Sequence, residues 1–318
     1  MEACFSHNTM HGKTKQNHSG QIVLGVACLL FIGLFAWSNV MAQSNSDHKL
    51  PNIDLSNWKV TLPVGQGKPI EVEPPEILSY ASNETLEPFM YNDSTDGSLV
   101  FYTYPGAVTG NTKYSRTELR EQMTPGSNKE NWTFEQGARM KGTLSISEIS
   151  KTPEGKFDRT IVMQIHGRLT NEQKDQIGQK DNNAPPILKI YWHKGYVRVK
   201  TKELKDINGF GMELLPKEAW KDDKGYNFPE YVGNKPFTLE IIATKGRLEV
   251  ILNEKYSKVY QSIHMRKWGA FENYFKAGNY LQTKNPNGFA KVKYYALEIS
   301  HSDVVTPARR KKKKRVAK

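Results

Sequence analysis

Residues 159–167 read Arg-Thr-Ile-Val-Met-Gln-Ile-His-Gly, an apolar run that is typical of a buried β-strand. Side chains of a strand alternate between the two faces of a sheet, so Gln164 and His166 share one face while Ile165 points into the core. The pattern therefore predicts an amide and an imidazole side by side on an open face of a sheet. Polar pairs of this kind also occur on solvated strands without chemistry, so the interpretation depends on what the rest of the chain places on the same face.

Short strand patterns recur along the chain. At 58–62, apolar side chains alternate with Lys59 and Thr61, which predicts a half-buried strand. Similar runs bounded by Gly, Pro, Asn or Asp predict strands at 99–104, 114–122, 138–149, 160–166, 187–192, 196–200, 237–244, 247–252, 274–281 and 292–300. Helical turns are expected only at 75–78 and 216–220, and the longest segments without a strand pattern are 65–98 and 203–235. This many strands predict an all-β fold, a two-sheet antiparallel β-sandwich.

The first 42 residues have the features of a secretory signal peptide. Lys13 and Lys15 precede an apolar run at 22–37, and residues 40–42, Val-Met-Ala, resemble the pattern before a cleavage point. The apolar run is shorter than the ~20 residues that span a membrane, and an uncleaved anchor is the alternative. Both cysteines of the chain lie in this segment, so the mature protein is expected to contain neither a disulfide nor a reactive thiol.

The formal net charge of +12 is concentrated at the C-terminus. Residues 309–318 contain eight Lys and Arg and no acid, whereas 43–308 contain 35 basic and 32 acidic residues. On composition this end of the chain is a polycationic tail. Behind a signal peptide its expected partners are polyanions outside the cell and no specific nucleic acid, and an incidental solvated tail is the alternative. The expected organisation is a signal peptide at 1–42, a polar leader at 43–50, one β-domain at 51–303 and a basic tail at 304–318.

A second polar strand face is charged. Residues 115–120 read Ser-Arg-Thr-Glu-Leu-Arg, which places Arg116, Glu118 and Arg120 on one face at intervals of two. Two guanidinium groups beside one carboxylate leave a net positive surface, and guanidinium forks suit carboxylate ligands. The alternative is a surface ladder of ion pairs, each contributing about 0–1 kcal/mol.

A third polar face belongs to the strand predicted at 274–281. Tyr274, Lys276, Gly278 and Tyr280 fall on the same face. The missing side chain at Gly278 is expected to let a ligand approach the backbone. An ordinary aromatic-rich strand is the alternative, but a curved sheet can bring all three polar faces together.

Three motifs in this order resemble the alginate lyases of polysaccharide lyase family 7: Arg-Thr-Glu-Leu-Arg at 116–120, Gln-Ile-His at 164–166 and Tyr-Phe-Lys-Ala-Gly-Asn-Tyr-Leu-Gln at 274–282. The segment Asp-Leu-Ser-Asn-Trp-Lys-Val-Thr-Leu-Pro at 54–63 is similar to the start of the same domain, so the resemblance covers roughly residues 51–300. It implies a β-jelly roll whose concave sheet forms a groove for a polyuronate chain, alginate, which is cleaved by β-elimination.

The resemblance also implies a catalytic role for each polar face. Arg116 or Arg120, together with the Gln164 amide, would neutralise the substrate carboxylate so that the charge developing on loss of the C5 proton is tolerated. Arg116 is the preferred candidate. Tyr280 would protonate the departing O4, and either His166 or Tyr280 itself would take the C5 proton, depending on the uronate. An unperturbed histidine, with a pKa of about 6.5, is largely neutral at neutral pH.

Further residues are expected to contact the substrate around this catalytic set. Lys276 is interpreted as a subsite contact and not as a base, because nothing in the sequence indicates the burial that would lower its pKa. Arg198 and Lys200 alternate in one strand and would extend the groove, with a solvated sheet edge as an equal alternative. The expected substrate contacts are Glu118, Arg120, Tyr274, Lys276, Arg198, Lys200 and Gln282.

The sequence predicts no metal site and no cofactor, because His193, His264 and His301 stand without His, Asp or Glu partners at metal-ligand spacing. The expected protein is a secreted or periplasmic, monomeric alginate lyase. Endolytic action and a preference for guluronate-containing blocks are expected, the latter from the isoleucine form of the Gln-Ile-His motif. Two alternatives are a lyase acting on another polyuronate such as glucuronan, and a non-catalytic polysaccharide-binding module on the same fold.

Overall fold

β-Strands dominate the computed structural model, which describes residues 50–110 and 112–301, apart from the side chain of Asn52. In chain order they are β1 (Asn52–Ile53), β2 (Trp58–Thr61), β3 (Glu71–Val72), β4 (Met90–Asn92), β5 (Leu99–Thr103), β6 (Arg116–Glu121), β7 (Trp132–Thr133), β8 (Ala138–Ile149), β9 (Arg159–Arg168), β10 (Asn183–His193), β11 (Tyr196–Leu204), β12 (Trp220–Asp222), β13 (Tyr226–Tyr231), β14 (Phe237–Thr244), β15 (Arg247–Leu252), β16 (Tyr256–Tyr260), β17 (Glu272–Leu281) and β18 (Ala290–Ser300).

Helices are short in this part of the chain. They are the α-helices α1 (Asn171–Gln176) and α2 (Ile263–Lys267) and the 3₁₀ segments Glu76–Ser82, Gly211–Leu214, Lys217–Ala219 and Trp268–Ala270. Within residues 50–301, as far as they are described, no helix is long and apolar enough to span a membrane. The predicted signal peptide and basic tail lie outside the described residues, as does almost all of the predicted leader.

The strands form two sheets that pack face to face. The outer sheet runs β16-β15-β14-β8-β18-β5-β4, with β1 added in parallel to β18. The groove sheet runs β12-β11-β10-β9-β17-β6-β2-β3, with β13 also paired to β11 and β7 to β17. All strand pairs within these paths are antiparallel. The predicted two-sheet antiparallel sandwich of the jelly-roll type is therefore confirmed.

The core lies between the sheets and follows from strand alternation. Met163 and Ile165 of β9 are fully buried there, as are Met140 and Leu144 of β8 in the outer sheet. A fully buried side chain of this size contributes about 1.5–3 kcal/mol relative to an exposed one. The inward faces of β8 and β9 thus stabilise the sandwich, and the other face of β9 stays available for polar side chains.

Most predicted strands agree with the structure, and those at 138–149, 237–244 and 247–252 agree in both bounds. The prediction that 65–98 and 203–235 lack strands is wrong, because they contain β3, β4, β12 and β13. These strands have two to six residues, and β13 includes a proline, so their patterns were too short or too interrupted to detect. The two predicted helical turns are confirmed as the 3₁₀ segments Glu76–Ser82 and Lys217–Ala219.

The prediction of a half-buried β2 is also wrong, since all four of its residues are buried. β2 lies between β3 and β6, and its two polar side chains, Lys59 and Thr61, are 7% and 5% exposed. Lys59 donates from Nζ to Glu71 Oε2 at 2.7 Å, and Thr61 Oγ1 lies 3.3 Å from Glu71 Oε1. Pairing with an acid on the neighbouring strand is what allows a lysine to be buried at this position.

A β-bulge interrupts the pairing of β17 with β9 at the centre of the groove sheet. Ala277 lies opposite Met163, whereas Tyr280 lies opposite Ile161, so β17 contains one extra residue there. Gly278 has a φ of 131°, and a Cβ at this position would approach the backbone oxygen of Thr117 to 2.7 Å. The glycine is therefore required by the backbone of the bulge and does not provide the ligand access expected from the sequence.

Candidate active site

A groove of about 800 Å³ lies over the groove sheet and collects most of the predicted site residues. Side chains from seven neighbouring strands and several loops line it. The predicted residues in its lining are Arg116, Arg120, Gln164, His166, Tyr274, Lys276, Tyr280 and Gln282. Three sequence motifs far apart in the chain thus meet at one surface, as their residue patterns predict.

Strand register explains this convergence. Lys276 of β17 lies opposite Arg120 of β6 on one side and opposite Gln164 of β9 on the other. Directly opposed residues of antiparallel strands share a face, so all three side chains project into the groove. In the same way Tyr274 lies opposite His166, and Tyr280 lies opposite Arg116.

Glu118 holds the groove floor together from below. Its side chain is 1% exposed, and its Oε1 accepts a hydrogen bond from Gln164 Nε2 at 2.5 Å. Its Oε2 accepts from Arg116 Nη1 at 3.1 Å and forms an ion pair with Lys276 Nζ. Burial alone would raise the pKa of Glu118, but the charges of Lys276 and Arg116 lower it by more than burial raises it, so the carboxylate is ionised. Two cations share one anion, which leaves the floor with a net positive charge.

Two expectations about this floor are wrong. The alternative of a surface ladder fails because Arg116 and Arg120 are 8% and 7% exposed. The expectation of an open face fails for Gln164, which is 2% exposed, since Glu118 and its partners surround the amide. Removing one partner of an ion pair buried to this extent is much more destabilising than removing one partner of a solvated pair.

The two arginines differ in how their donors are used. Arg120 donates from Nη1 to the Glu121 carbonyl and from Nη2 to Asn131 Oδ1 at 2.8 Å, so it is committed to the neighbouring backbone and loop. Arg116 Nη1 donates to Glu118, whereas its buried Nη2 has no hydrogen-bond partner among the described residues. A buried donor without a partner is costly and is a ready site for an incoming carboxylate. The geometry thus distinguishes two arginines that strand alternation could not.

Lys276 is buried, contrary to the expectation from sequence. It is 6% exposed, and burial lowers its pKa to about 8, although Glu118 acts in the opposite direction. The reason for interpreting it only as a subsite contact, that nothing would lower its pKa, therefore fails. Its ion pair with Glu118 nevertheless keeps a positive charge on the groove floor at neutral pH.

His166 is held as a neutral imidazole with one defined lone pair. Its Nδ1 lies 3.0 Å from the carbonyl oxygen of Gly167, which can only accept, so Nδ1 carries the hydrogen and Nε2 is the basic nitrogen. The ring stacks on Tyr274, with centroids 5.2 Å apart and planes 15° from parallel. Burial, followed by the charge of Lys276, lowers the pKa of His166 to about 3. The ring is therefore neutral at neutral pH.

The pKa of Tyr280 is shifted upward, whereas that of His166 is shifted downward. Burial raises its pKa, although the guanidinium of Arg116, whose Cζ lies 3.9 Å from the ring centroid, lowers it. The phenol is therefore protonated at neutral pH. A neutral imidazole with an available lone pair and a protonated phenol thus occur in one groove, which suits them to act as base and acid.

The two residues predicted to extend the groove lie outside its lining. Arg198 donates to Asn227 Oδ1 at 2.7 Å and to the Lys224 carbonyl at 2.6 Å, and neither Arg198 nor Lys200 lines the groove. Lys189 and Lys202 line it instead and were missed by the sequence analysis. Lys202 continues the alternation of the two predicted residues, but the strand was predicted to end at 200, whereas β11 continues to 204.

The described residues contain no group of three or more His, Cys, Asp or Glu side chains able to hold a metal ion. His301 does have an acidic partner, since its Nε2 lies 2.5 Å from Glu121 Oε1. His264 accepts a hydrogen bond at Nδ1 from the backbone of Leu204. Both histidines are thus engaged in structural contacts away from the groove lining.

The family model for alginate lyases matches residues 53–301. The chain belongs to the alginate lyase family. It is accordingly a polysaccharide lyase, and its matched region covers the whole groove sheet. No curated protein matches this lyase.

Several solved structures are similar to this alginate lyase. One is alginate lyase A1-II', a member of polysaccharide lyase family 7, with 29% identity, a TM-score of 0.61 and coverage of 78% of this chain and 96% of that one. A variant of A1-II' with one histidine and one tyrosine replaced was solved with the substrate GGMG; it is 28% identical, with a TM-score of 0.61, and the match covers 80% and 96% of the two chains. The alginate lyase from Klebsiella pneumoniae, at 21% identity, a TM-score of 0.59 and coverage of 79% and 97%, shares the fold.

Proposed function

We propose that this lyase depolymerises alginate by β-elimination in the groove, with Arg116, Gln164, His166 and Tyr280 as its catalytic residues. The observation that carries the proposal is the presence of three complementary groups in one groove. They are a buried arginine donor without a partner, a neutral imidazole with its Nε2 lone pair available, and a protonated phenol. Elimination next to a carboxylate requires a neutraliser, a base and an acid of this kind.

Arg116 is the neutraliser in this proposal. Its Nη2 would donate to the uronate carboxylate, and the remaining amide hydrogen of Gln164 would assist, since its other one is bonded to Glu118. Neutralising the carboxylate stabilises the negative charge that spreads onto it when the C5–H bond breaks. Glu118 and Arg120 would then support the floor, and Tyr274, Lys276 and Gln282 would line the substrate path.

His166 Nε2 takes the C5 proton. The electron pair of the C5–H bond forms the C4–C5 double bond, the C4–O4 bond breaks, and Tyr280 gives its hydroxyl proton to O4. The products are an unsaturated uronate and a chain with a new reducing end, and proton transfer through solvent restores both residues. An imidazole with a pKa of about 3 is a weak base, but the carboxylate of a bound uronate brings a negative charge that raises this pKa.

Two complexes of A1-II' support this division of roles. One complex with substrate has a histidine and a tyrosine replaced, and a complex with the product GGG has a tyrosine replaced. Those are the two residue types placed here at the base and acid positions. For a uronate epimer whose C5 proton faces the other way, Tyr280 would act as both base and acid, as the family resemblance implies.

We also propose that the protein is a monomer secreted behind a signal peptide at 1–42, with a lyase domain at 51–303 and a basic tail at 304–318 that binds polyanions. Endolytic action is proposed because the groove crosses several strands and is suited to an internal segment of a polymer. A preference for guluronate-containing blocks is proposed because the chain has the isoleucine form of the Gln-Ile-His motif.

The test measures the ultraviolet absorbance of the new double bond with poly-guluronate, poly-mannuronate, alternating alginate and glucuronan. The wild type is expected to form product from alginate, with the fastest rate on guluronate-containing blocks. Absence of product from every polymer would reject the proposal, and retained alginate binding without product would indicate a binding module. Product from glucuronan alone would move the activity to another polyuronate.

Tyr280→Phe tests the acid. The variant is expected to lose at least ~10²-fold in rate, within the range that positioned general catalysis supplies. The matched control is Tyr231→Phe, since Tyr231 is 63% exposed and does not line the groove. Wild-type product formation by Tyr280→Phe would show that the mechanism is wrong.

A further inference from the structure

A row of mostly cationic side chains crosses the groove sheet from strand to strand. Successive directly opposed residues on six neighbouring strands make up this row: Lys59, Arg120, Lys276, Gln164, Lys189 and Lys200. Since opposed residues share a face, the row runs across the same side of the sheet as the groove. Five of its six members are positively charged, so the row matches a linear polyanion.

The far end of this row carries more positive charge than its one acidic partner, Asp222, neutralises. Lys189 Nζ lies 2.9 Å from Asp222 Oδ2, Lys202 Nζ lies 2.6 Å from Asp222 Oδ1, and Lys200 Nζ lies 3.9 Å from Asp222 Oδ2. We name these four residues the distal cluster. Three ammonium groups around one carboxylate leave a net charge of about +2, and the shared carboxylate fixes their positions before any ligand arrives.

We infer that the distal cluster binds the carboxylate of a uronate residue one or two sugar rings away from the cleaved bond. Neighbouring strands are about 4.8 Å apart, so Lys189 and Lys200 lie about 5 and 10 Å from Gln164 along the row. A 1→4-linked polyuronate carries one carboxylate on every ring, so a chain lying along the row presents carboxylates to the catalytic floor and to the distal cluster together. Lys217, the first residue of the 3₁₀ segment before β12, also lines the groove.

This inference rests on the proposed function, and the test separates the two. The double variant Lys189→Gln/Lys202→Gln is compared with Lys189→Arg/Lys202→Arg, which keeps the charge, and with Lys141→Gln on the outer sheet, where Lys141 pairs with Glu254. For Gln/Gln, KM on polymeric alginate should rise about fivefold to tenfold with kcat within about twofold, while KM on a trisaccharide changes less. Arg/Arg and Lys141→Gln should retain the wild-type KM.

An unchanged polymer KM in a folded Gln/Gln variant would overturn the distal site while leaving the proposed function intact. If the wild type forms no unsaturated product, the proposed function fails instead. The distal cluster is then tested by equilibrium binding to poly-guluronate, which Gln/Gln should weaken about fivefold to tenfold and Arg/Arg should not. Equal binding by all three proteins would reject it.

A different observation, the β-bulge between β9 and β17, carries a second inference. The hydroxyl of Tyr294, a fully buried residue of β18 in the outer sheet, reaches across the core into this bulge. Its Oη accepts from the Gly278 N–H at 3.1 Å and donates to the Val162 carbonyl at 2.6 Å. A bulge disrupts the regular ladder, and this hydroxyl supplies hydrogen bonds to one backbone group on each strand.

We propose that Tyr294 is a positioning residue for Tyr280. Tyr280 lies two residues after Gly278, and a strand that slips by one residue turns its side chains to the opposite face. The pairing of β17 with β6 runs through Gly278 and Tyr280 without a shift, so the bulge changes only the register of β17 against β9. By fixing the bulge, Tyr294 fixes where the phenol of Tyr280 stands relative to His166. Its neighbour Tyr295 makes an informative control, because its hydroxyl also makes two contacts, at 3.2 Å to Ser145 Oγ and 3.3 Å to Asp96 Oδ2.

Tyr294→Phe is expected to lower kcat about tenfold with KM within about twofold, measured well below its melting temperature. Tyr295→Phe should keep the wild-type kcat. Gly278→Ala disturbs the same bulge with the tyrosine intact, and it should give the same separation of kcat from KM. A folded variant of either bulge residue with wild-type kcat would show that Tyr294 acts on stability alone.

Discussion

Replacing Glu118 by glutamine should destabilise the protein severely, although the change is nearly isosteric. Glu118 is the shared anion of Arg116 and Lys276 and accepts from Gln164, and it is 1% exposed. Removing one partner of a buried ion pair costs about 3–5 kcal/mol, because the remaining charges stay buried without compensation. In a domain of this size, the loss corresponds to a melting temperature about 6–20 °C lower.

Urea and thermal unfolding at pH 7 measure the effect directly. The matched control is Glu135→Gln, another acid paired with a lysine, Lys245, but in a pair whose side chains are 67% and 79% exposed. Solvent screens that pair, so its loss should cost no more than about 1 kcal/mol. A Glu118→Gln variant within 1 kcal/mol of the wild type would refute the argument that burial, and not the number of ion pairs, stabilises the groove floor.

Three further predictions follow from the protonation states. The folded-state pKa of His166, about 3, lies below its ordinary value of 6.5, so the unfolded chain binds more protons than the folded chain between these two pH values. Wild-type stability, measured by urea unfolding, should therefore fall relative to His166→Asn as pH is lowered from 6.5 toward 3. In the free enzyme, kcat/KM should show no acid limb near pH 6.5 from this histidine. Lys276, with a pKa of about 8 against 10.5, should make the wild type gain stability relative to Lys276→Met as pH rises from 8 to 10.5, by the same measurement.

The sequence predicted which residues share a strand face but not what covers that face. Alternation placed Arg116 and Arg120 together, and only their different partners, Glu118 for one and the Glu121 carbonyl and a loop amide for the other, distinguish them. The sequence likewise does not show that Lys276 is buried, because this burial results from packing against strands more than 100 residues away in the chain. Residue types and periodicity therefore located the site, whereas its pKa values depend on long-range packing.

Register is the second property that alternation could not supply. Lys189 belongs to the same row as Gln164 only because β10 and β9 pair with these residues opposed, and a shift of one residue would turn it toward the core. The bulge at Gly278 shows the same dependence. The sequence shows a glycine at this position, but the need for it comes from its positive φ and from the close approach of β6. The pattern of a single strand contains neither.

The low pKa of His166 and the excess positive charge of the groove floor have a common origin. Burial together with Lys276 and Arg116 disfavours the imidazolium, so in the empty groove the base is neutral but weak. The same cations favour a substrate carboxylate, and its arrival reduces the repulsion that makes protonation of the imidazole unfavourable. Substrate binding thereby strengthens the base at the position where the C5 proton must be removed. Binding of an uncharged sugar would leave His166 weak, so the charge of the groove floor links recognition of a uronate to the chemistry performed on it.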